Sequence, residues 1–177
     1  MELYEYDYKK VENRYIKNIK SYEGQIDILE NLVFIPKKDG SYPVNLTYKN
    51  FTIKGGTINE KYLQEYGNYE YVTKKARYCI HLYRETDWNG NSRQRLVIVR
   101  NPIDRTGEYS SIDFYDVHNI KSEEELKDLF TKRLNDLKDY LARDKARLKA
   151  LPKVWKKLQS IDTMGLERYD IQHLLGA

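Results

Sequence analysis

Three segments of alternating sequence carry side chains that could perform acid–base chemistry. KARYCIHLYRE, SRQRLVIVRN and EYSSIDFYDV each read as a β-strand, and Asn89-Gly90 favours a two-residue type I′ turn between the first two. A histidine base, a carboxylate that orients it and an arginine that stabilises phosphate charge could together cleave RNA without a metal. In this register one sheet face would carry the candidate catalytic residues His81, Glu85, Arg100 and Asp113.

The catalytic interpretation competes with a structural one. The spacing of these residues matches no recognised motif, and a sheet histidine is more often hydrogen-bonded within the fold than catalytic. The segment DFYDVH adds Asp113, Asp116 and His118 as possible metal ligands, but strand alternation sends Asp113 to the face opposite the other two. We therefore expect no metal and no cofactor, and a metal-independent ribonuclease that uses His81 stays an alternative.

The same predicted hairpin has a basic end with an exposed aromatic tip. The type I′ turn would pair Leu82 with Val97 and put Arg84 and Arg95 on one face, whereas a longer loop would change the register and could exchange the faces. Arginines offer bidentate donors, and a rigid hairpin can enter a nucleic-acid groove or a cleft in another protein. Alternatively, the arginines only pair with acidic residues of the hairpin. The candidate binding residues are Arg84, Trp88, Arg93 and Arg95.

A second basic region runs from Arg143 to Lys157 and contains a single acidic residue. Cations that contact phosphates release counterions and give sequence-independent affinity for DNA or RNA. Trp155 could stack on an unpaired base, or it could pack into the core while the cations form a solvated helix face. The candidate binding residues are Arg143, Lys145, Arg147, Lys149, Lys153, Trp155, Lys156 and Lys157.

Long helices must position these side chains. Aromatic and aliphatic residues recur every three or four positions near the start of the chain, which predicts an N-terminal helix over about 7–23. SEEE is a capping box, in which Ser122 accepts from the amide three residues on and Glu125 reaches back. The leucine series that follows predicts a helix to about Leu151, where Pro152 interrupts it. Shorter helices would complete a C-terminal helical region over about 122–175.

The later part of the leucine series follows a partial heptad in which Asp144 occupies a seam position. Because the heptads are few, we expect this part to pair with the N-terminal helix. Residues of about 26–118 would form the sheet region, with a short helix between Asn59 and Gly67. The sequence predicts a single α+β domain, in which an antiparallel β-meander packs against long helices.

Composition limits the classes of protein that fit. The 177 residues have the size of one domain, and 40% hydrophobic residues are too many for a disordered chain. Cys79 is the single cysteine, which excludes an intramolecular disulfide and a cysteine zinc site. The N-terminus lacks the pattern of a signal peptide, and no apolar run has membrane-spanning length. We expect a cytoplasmic protein with no membrane partner.

Two segments, YEYDYKKVENRYIKNIKSYEG and LPKVWKKLQSIDTMGLERYDIQHLLGA, are rich in Lys, Tyr and Ile. In this character the chain resembles small accessory proteins of phages and conjugative elements of low-GC Gram-positive bacteria, and among them it looks like an anti-CRISPR protein directed at a type II effector. The resemblance implies a protein of the bacterial host cell that blocks guide-RNA loading, target DNA or a nuclease surface, although a few such proteins promote guide cleavage. It carries over no functional residue.

These observations favour a non-enzymatic binder of nucleic acid, either RNA or DNA, or of a nucleoprotein such as a CRISPR effector. The chain also contains 17 tyrosines, which can line a core, stack on bases or anchor a protein interface. A protein-only interaction module or a homodimer is therefore another alternative.

Overall fold

A computed structural model describes residues 5–35, 50–104, 109–160 and 173 of the chain. The predicted α+β fold, an antiparallel meander with long helices, is confirmed. The fold divides into two compact units. A two-helix unit comprises Met1–Tyr22 and Lys138–Ala177, and a sheet unit comprises Glu23–Leu137. No helix in the described ranges is both long and apolar enough to cross a membrane.

The helices are α1 (Glu5–Asn31), α2 (Glu60–Tyr66) and α3 (Glu123–Gln159), with a short 3-10 helix at Val117–Asn119. The short helix predicted between Asn59 and Gly67 is confirmed: Asn59 accepts from the Tyr62 amide at its start, and Gly67 ends it with a positive φ. The prediction that α1 stops near residue 23 and that sheet begins near residue 26 is wrong. The helix continues because the apolar residues after Gly24 are buried, and Gly24 itself lies against Ser110 where a Cβ atom would overlap that side chain.

The strands form two antiparallel sheets. Their bounds are β1 Leu32–Phe34, β2 Phe51–Ile53, β3 Thr57–Ile58, β4 Tyr69–Val72, β5 Ala76–Thr86, β6 Ser92–Pro102 and β7 Ser110–Phe114. The three predicted strands are β5, β6 and β7, which lie at one side of a five-stranded sheet with the order β3-β4-β5-β6-β7, and β1 and β2 pair separately.

The predicted register of the β5–β6 hairpin is wrong by one residue. Leu82 lies opposite Leu96, not Val97, because the loop has a three-residue tip in place of a two-residue type I′ turn. The Gly90 amide donates to the Asp87 carbonyl at 2.9 Å, and Gly90 takes the positive φ. The Asp87 carboxylate also accepts from the amide of Asn91 at 2.8 Å. These bonds select the longer loop, and the shift exchanges the faces of β6 relative to β5.

One face of the five-stranded sheet forms the core of the sheet unit. Ile80, Ile98 and Ile112 lie side by side on adjacent strands and are buried. Phe130 of α3 contacts the Phe114 ring, with 4.9 Å between the ring centroids. The other face is more open and carries most of the polar side chains discussed below.

Helix α3 begins with the predicted capping box. The Glu125 amide donates to the Ser122 hydroxyl at 3.1 Å, and the Glu125 carboxylate accepts from the Lys121 amide at 3.0 Å. The predicted interruption at Pro152 is wrong, because the helix runs through it to Gln159. A proline inside a helix costs about 3 kcal/mol. Burial of Leu151 and Leu158, at about 1.5–3 kcal/mol each, offsets that cost.

The two-helix unit is an antiparallel pair, which confirms the predicted pairing of the C-terminal series with the N-terminal helix. The Tyr8 ring lies 5.5 Å from the Trp155 ring, and the Tyr22 ring lies 5.9 Å from the Tyr140 ring. The α3 seam follows a heptad spacing of four and three residues. It comprises Leu141, Asp144, Leu148, Leu151, Trp155 and Leu158. Residues 161–172 and 174–177, where further helix was predicted, lie outside the described part.

Candidate functional site

The shifted register changes which arginine joins the polar face of the sheet. Arg95 lies on the face of His81, Glu85 and Asp113, and not on that of Arg84. Its Nη2 atom donates to Asp113 Oδ2 at 2.6 Å, and its Nη1 atom lies 3.5 Å from Glu85 Oε1. The guanidinium also lies 5.1 Å from the centre of the Tyr115 ring. Arg95 is therefore held by two carboxylates and an aromatic ring.

Arg100, predicted on the catalytic face, lies on the opposite face of the sheet. Its Nε atom donates to Asp27 Oδ2 at 2.6 Å, and the Tyr78 hydroxyl donates to the same oxygen at 2.5 Å. Burial, together with the nearby Asp27 carboxylate, raises the pKa of Tyr78 to about 12. This cluster ties α1 to strands β5 and β6, and it removes Arg100 from the predicted catalytic set.

His81 is not joined to a carboxylate within the described residues. Its ring stacks on Tyr83, with centroids 5.7 Å apart and planes inclined by 10°. Burial lowers its pKa, which disfavours the charged form. Val97 separates it from Asp113 across the sheet, a span of about 10 Å for two strand spacings. The predicted contact between His81 and a carboxylate that would orient it is therefore not formed among the described residues.

The residues considered as metal ligands have other partners. Asp113 pairs with Arg95, and Asp116 lies 3.8 Å from Arg93. His118 accepts a hydrogen bond from the Gln94 amide at 3.3 Å. Across the described ranges, no group of three His, Cys, Asp or Glu side chains has the geometry to hold a metal ion.

The tip of the hairpin presents Trp88 to solvent, with 93% of its surface exposed. Arg93 lies 3.6 Å from Asp87 and 3.8 Å from Asp116. Arg84 is exposed on the other strand. Of the hairpin candidates, Arg93 and Arg95 are engaged with acids, whereas Trp88 and Arg84 face solvent.

The basic candidates of α3 separate into two groups. Helical periodicity places the lysines on the side of α3 away from its seam, where all are exposed. Exposed alanines at 142, 146 and 150 lie between them, and residues 145–160 include no acidic side chain. We call this surface the lysine face, and it comprises Lys145, Lys149, Lys153, Lys156 and Lys157.

The remaining α3 candidates lie at or beside the seam. Trp155 is half-buried against Tyr8 and the cluster of Val11, Tyr15 and Leu151, so its ring is engaged within the fold. Arg143 and Arg147 flank the buried Asp144. The structure therefore does not bring Trp155 together with the lysine face.

Sequence reasoning missed two residues of α1 near Asp144. Asn18 donates from Nδ2 to Asp144 Oδ2 at 3.1 Å, and Arg14 lines the same pocket. The signal that could have found Asn18 is its position four residues before Tyr22 and three after Tyr15, which is the seam spacing of a heptad. A polar seam residue in α1 would then have matched the polar seam residue in α3.

Comparison with known proteins gives no match to a family model, to a curated protein or to a solved structure.

Proposed function

We propose that this protein binds nucleic acid without cleaving it, and that the lysine face contacts phosphates. The observation that carries the proposal is the charge of the two helices that pair. Residues 5–22 and 138–160 contain thirteen basic and five acidic residues, a net charge of +8, whereas the whole chain has +4. A net positive charge of this density raises the local concentration of a polyanion, and the exposed lysines of the lysine face can contact its phosphates.

The composition of the lysine face favours a polyanion over a protein partner. Protein interfaces are depleted in lysine and depend on buried aromatic or arginine anchors. The lysine face offers lysines and alanines, and Trp155, the neighbour of Lys156 in the chain, packs on Tyr8. Within the described ranges, Lys149, Lys153, Lys156 and Lys157 have no ion-pair partner, so their charge is available to phosphates.

Trp88 supports a second contact of the same kind. An exposed tryptophan at a hairpin tip can stack on an unpaired base, a contact of about 1–3 kcal/mol that tolerates any sequence. This contribution favours single-stranded over duplex ligands, because only unpaired bases present their faces.

The resemblance to anti-CRISPR proteins gives the proposal a specific form, in which the nucleic acid belongs to a type II effector complex. The protein would then reduce guide-directed DNA cleavage by a purified type II effector. Loss of that inhibition in a variant with a neutral lysine face would support binding to the nucleic acid of the effector complex. Full cleavage in the presence of excess protein would exclude it for the effector tested.

The proposal is tested by removing charge from the lysine face. We expect the triple variant Lys149→Gln, Lys153→Gln, Lys156→Gln to bind labelled single-stranded RNA or DNA about tenfold or more weakly at low salt, measured by fluorescence anisotropy. The matched control is Lys61→Gln, Lys74→Gln, Lys75→Gln, which removes the same charge from exposed positions of the sheet unit. Equal binding by the two triple variants would contradict the assignment to the lysine face.

A further inference from the structure

A pocket of about 380 Å³ opens between the paired helices of the two-helix unit. A cavity of this size can hold a phosphate group with the sugar attached to it. Side chains from both helices line it, and three of them are guanidinium groups. Its lining includes Arg14, Asn18, Tyr22, Arg143, Asp144 and Arg147.

Asp144 organises the charged side chains of this pocket. It occupies an apolar seam position and is 2% exposed, so its carboxylate needs nearby donors. Asn18 donates to one carboxylate oxygen, while Arg143 Nε and Arg147 Nη1 lie 3.5 Å and 3.9 Å from the other. Each arginine side chain is nevertheless 49% exposed. The carboxylate therefore orients both guanidinium groups while leaving a large part of each accessible.

The charge of the lining favours a dianion. Among the described lining residues, three guanidinium groups and one carboxylate sum to a formal charge of +2, and His173 adds an imidazole. Arg143 and Arg147 are four residues apart on one helix face, where like charges repel each other. A phosphate monoester carries about −1.5 to −2 charges at neutral pH and accepts bidentate bonds from guanidinium groups. A phosphodiester within a strand carries only a single charge. The strand would also have to enter the pocket on one side of that phosphate and leave it on the other.

We propose that this pocket binds a phosphate monoester. The monoester that fits best is the phosphorylated end of a nucleic-acid strand whose backbone lies on the lysine face, and this choice rests on the proposed function. A free mononucleotide presents the same group and is the other source. The pocket thus gives selectivity for strand ends, whereas the lysine face gives affinity for any strand.

The test compares oligonucleotides of one sequence with a 5′-phosphate, a 3′-phosphate or hydroxyl groups at both ends. We expect wild-type protein to bind at least one phosphorylated strand about tenfold more tightly than the hydroxyl strand, which corresponds to about 1.4 kcal/mol. Arg147→Gln should abolish the preference, and Arg147→Lys should keep only part of it because lysine lacks the planar fork. Lys149→Gln, outside the pocket, should weaken all strands equally and leave the preference intact. Circular dichroism and melting temperature check that each variant folds.

A calorimetric titration of the protein with adenosine 5′-monophosphate, and with adenosine as the control, separates this inference from the proposed function. Binding of all strands without preference, and no binding of the monophosphate, would overturn the pocket while leaving the lysine face. Binding of the monophosphate, lost in Arg147→Gln, with no binding of any strand would support the pocket and overturn the proposed function. If neither strands nor monophosphate bind, both are wrong.

Discussion

At the scale of single residues, Asp27 is the clearest structural link in the sheet unit. One carboxylate oxygen accepts from both Arg100 Nε and the Tyr78 hydroxyl, and Asn31 donates to the other oxygen at 3.2 Å. Charge-assisted hydrogen bonds of this kind contribute more than neutral ones, and removing one partner leaves the others unsatisfied. The cluster therefore holds α1 against the polar end of an otherwise apolar sheet face.

This cluster predicts a loss of stability at alkaline pH. Folding raises the pKa of Tyr78 from 10.0 to about 12, so its contribution is complete below pH 10 and disappears as the pH rises through 12. The pKa values of Tyr62 and Cys79 shift in the same direction. We expect the free energy of unfolding, measured in urea, to fall as the pH rises above 10. In Tyr78→Phe the fall should be less steep, and the two slopes should differ by up to about 1.4 kcal/mol per pH unit. Identical slopes for the two proteins would contradict this role of Tyr78.

Contacts of single residues also determine how much of the polar sheet face can be predicted from the sequence. His81, Glu85 and Asp113 share one face as alternation indicates, but the exchange of Arg100 for Arg95 follows from the hairpin loop. Asn-Gly favours a two-residue turn, whereas the Asp87 carboxylate bonds to the amides of Asn89 and Asn91 and stabilises a longer loop. The dipeptide preference favours the shorter loop, and the longer loop, which stayed open as an alternative, is chosen by side-chain bonds that the pattern does not show.

At the scale of elements, the helix pair contains a polar layer within an otherwise largely apolar seam. Asn18 and Asp144 occupy facing seam positions. Replacing a buried charged group and its partners by apolar residues of similar volume is often neutral or stabilising by about 1–4 kcal/mol. The phosphate pocket that we propose would account for such a layer, because functional sites can cost stability.

We expect the double variant Asn18→Leu, Asp144→Leu to unfold in urea with a free energy about 1–4 kcal/mol above that of the wild type. Both polar groups are removed together, and the flanking arginines are exposed enough to turn to solvent. The same variant should lose the preference for a phosphorylated strand end. Lys149→Leu, which adds a leucine on the lysine face, is the control and should change the free energy by less than about 0.5 kcal/mol. A double variant that is less stable than wild type would show that the polar layer holds the helices together.

Local signals predicted the elements well where the controlling contacts are local. The capping box at Ser122 and the short helix that Gly67 ends depend on bonds within a few residues, and both were found. Two other features depend on residues that are distant in sequence. Gly24, where α1 continues, lies against Ser110, and the leucines on either side of Pro152 pack against Val11. Tertiary packing outweighs local propensity at these two places.

At the scale of the whole molecule, charge is unevenly divided. Residues 23–137 contain seventeen basic and eighteen acidic side chains, so the net positive charge of the chain comes from the helical segments outside them. The sequence shows the basic region between Arg143 and Lys157 as a run of charge. It could not divide that run into a lysine face and an arginine pocket, because the division depends on which residues pair with α1.

The most direct test of phosphate-led binding is the salt dependence of affinity for a single-stranded RNA. Four or five lysine contacts should give a slope of about −3 for log K against log salt, at about 0.7 per contact, and the triple lysine variant should reduce it to about −1. Denaturing gels of the same mixtures should show intact RNA. A slope near zero would contradict the account and favour a protein partner. RNA cleavage that His81→Ala abolishes would instead establish the ribonuclease alternative.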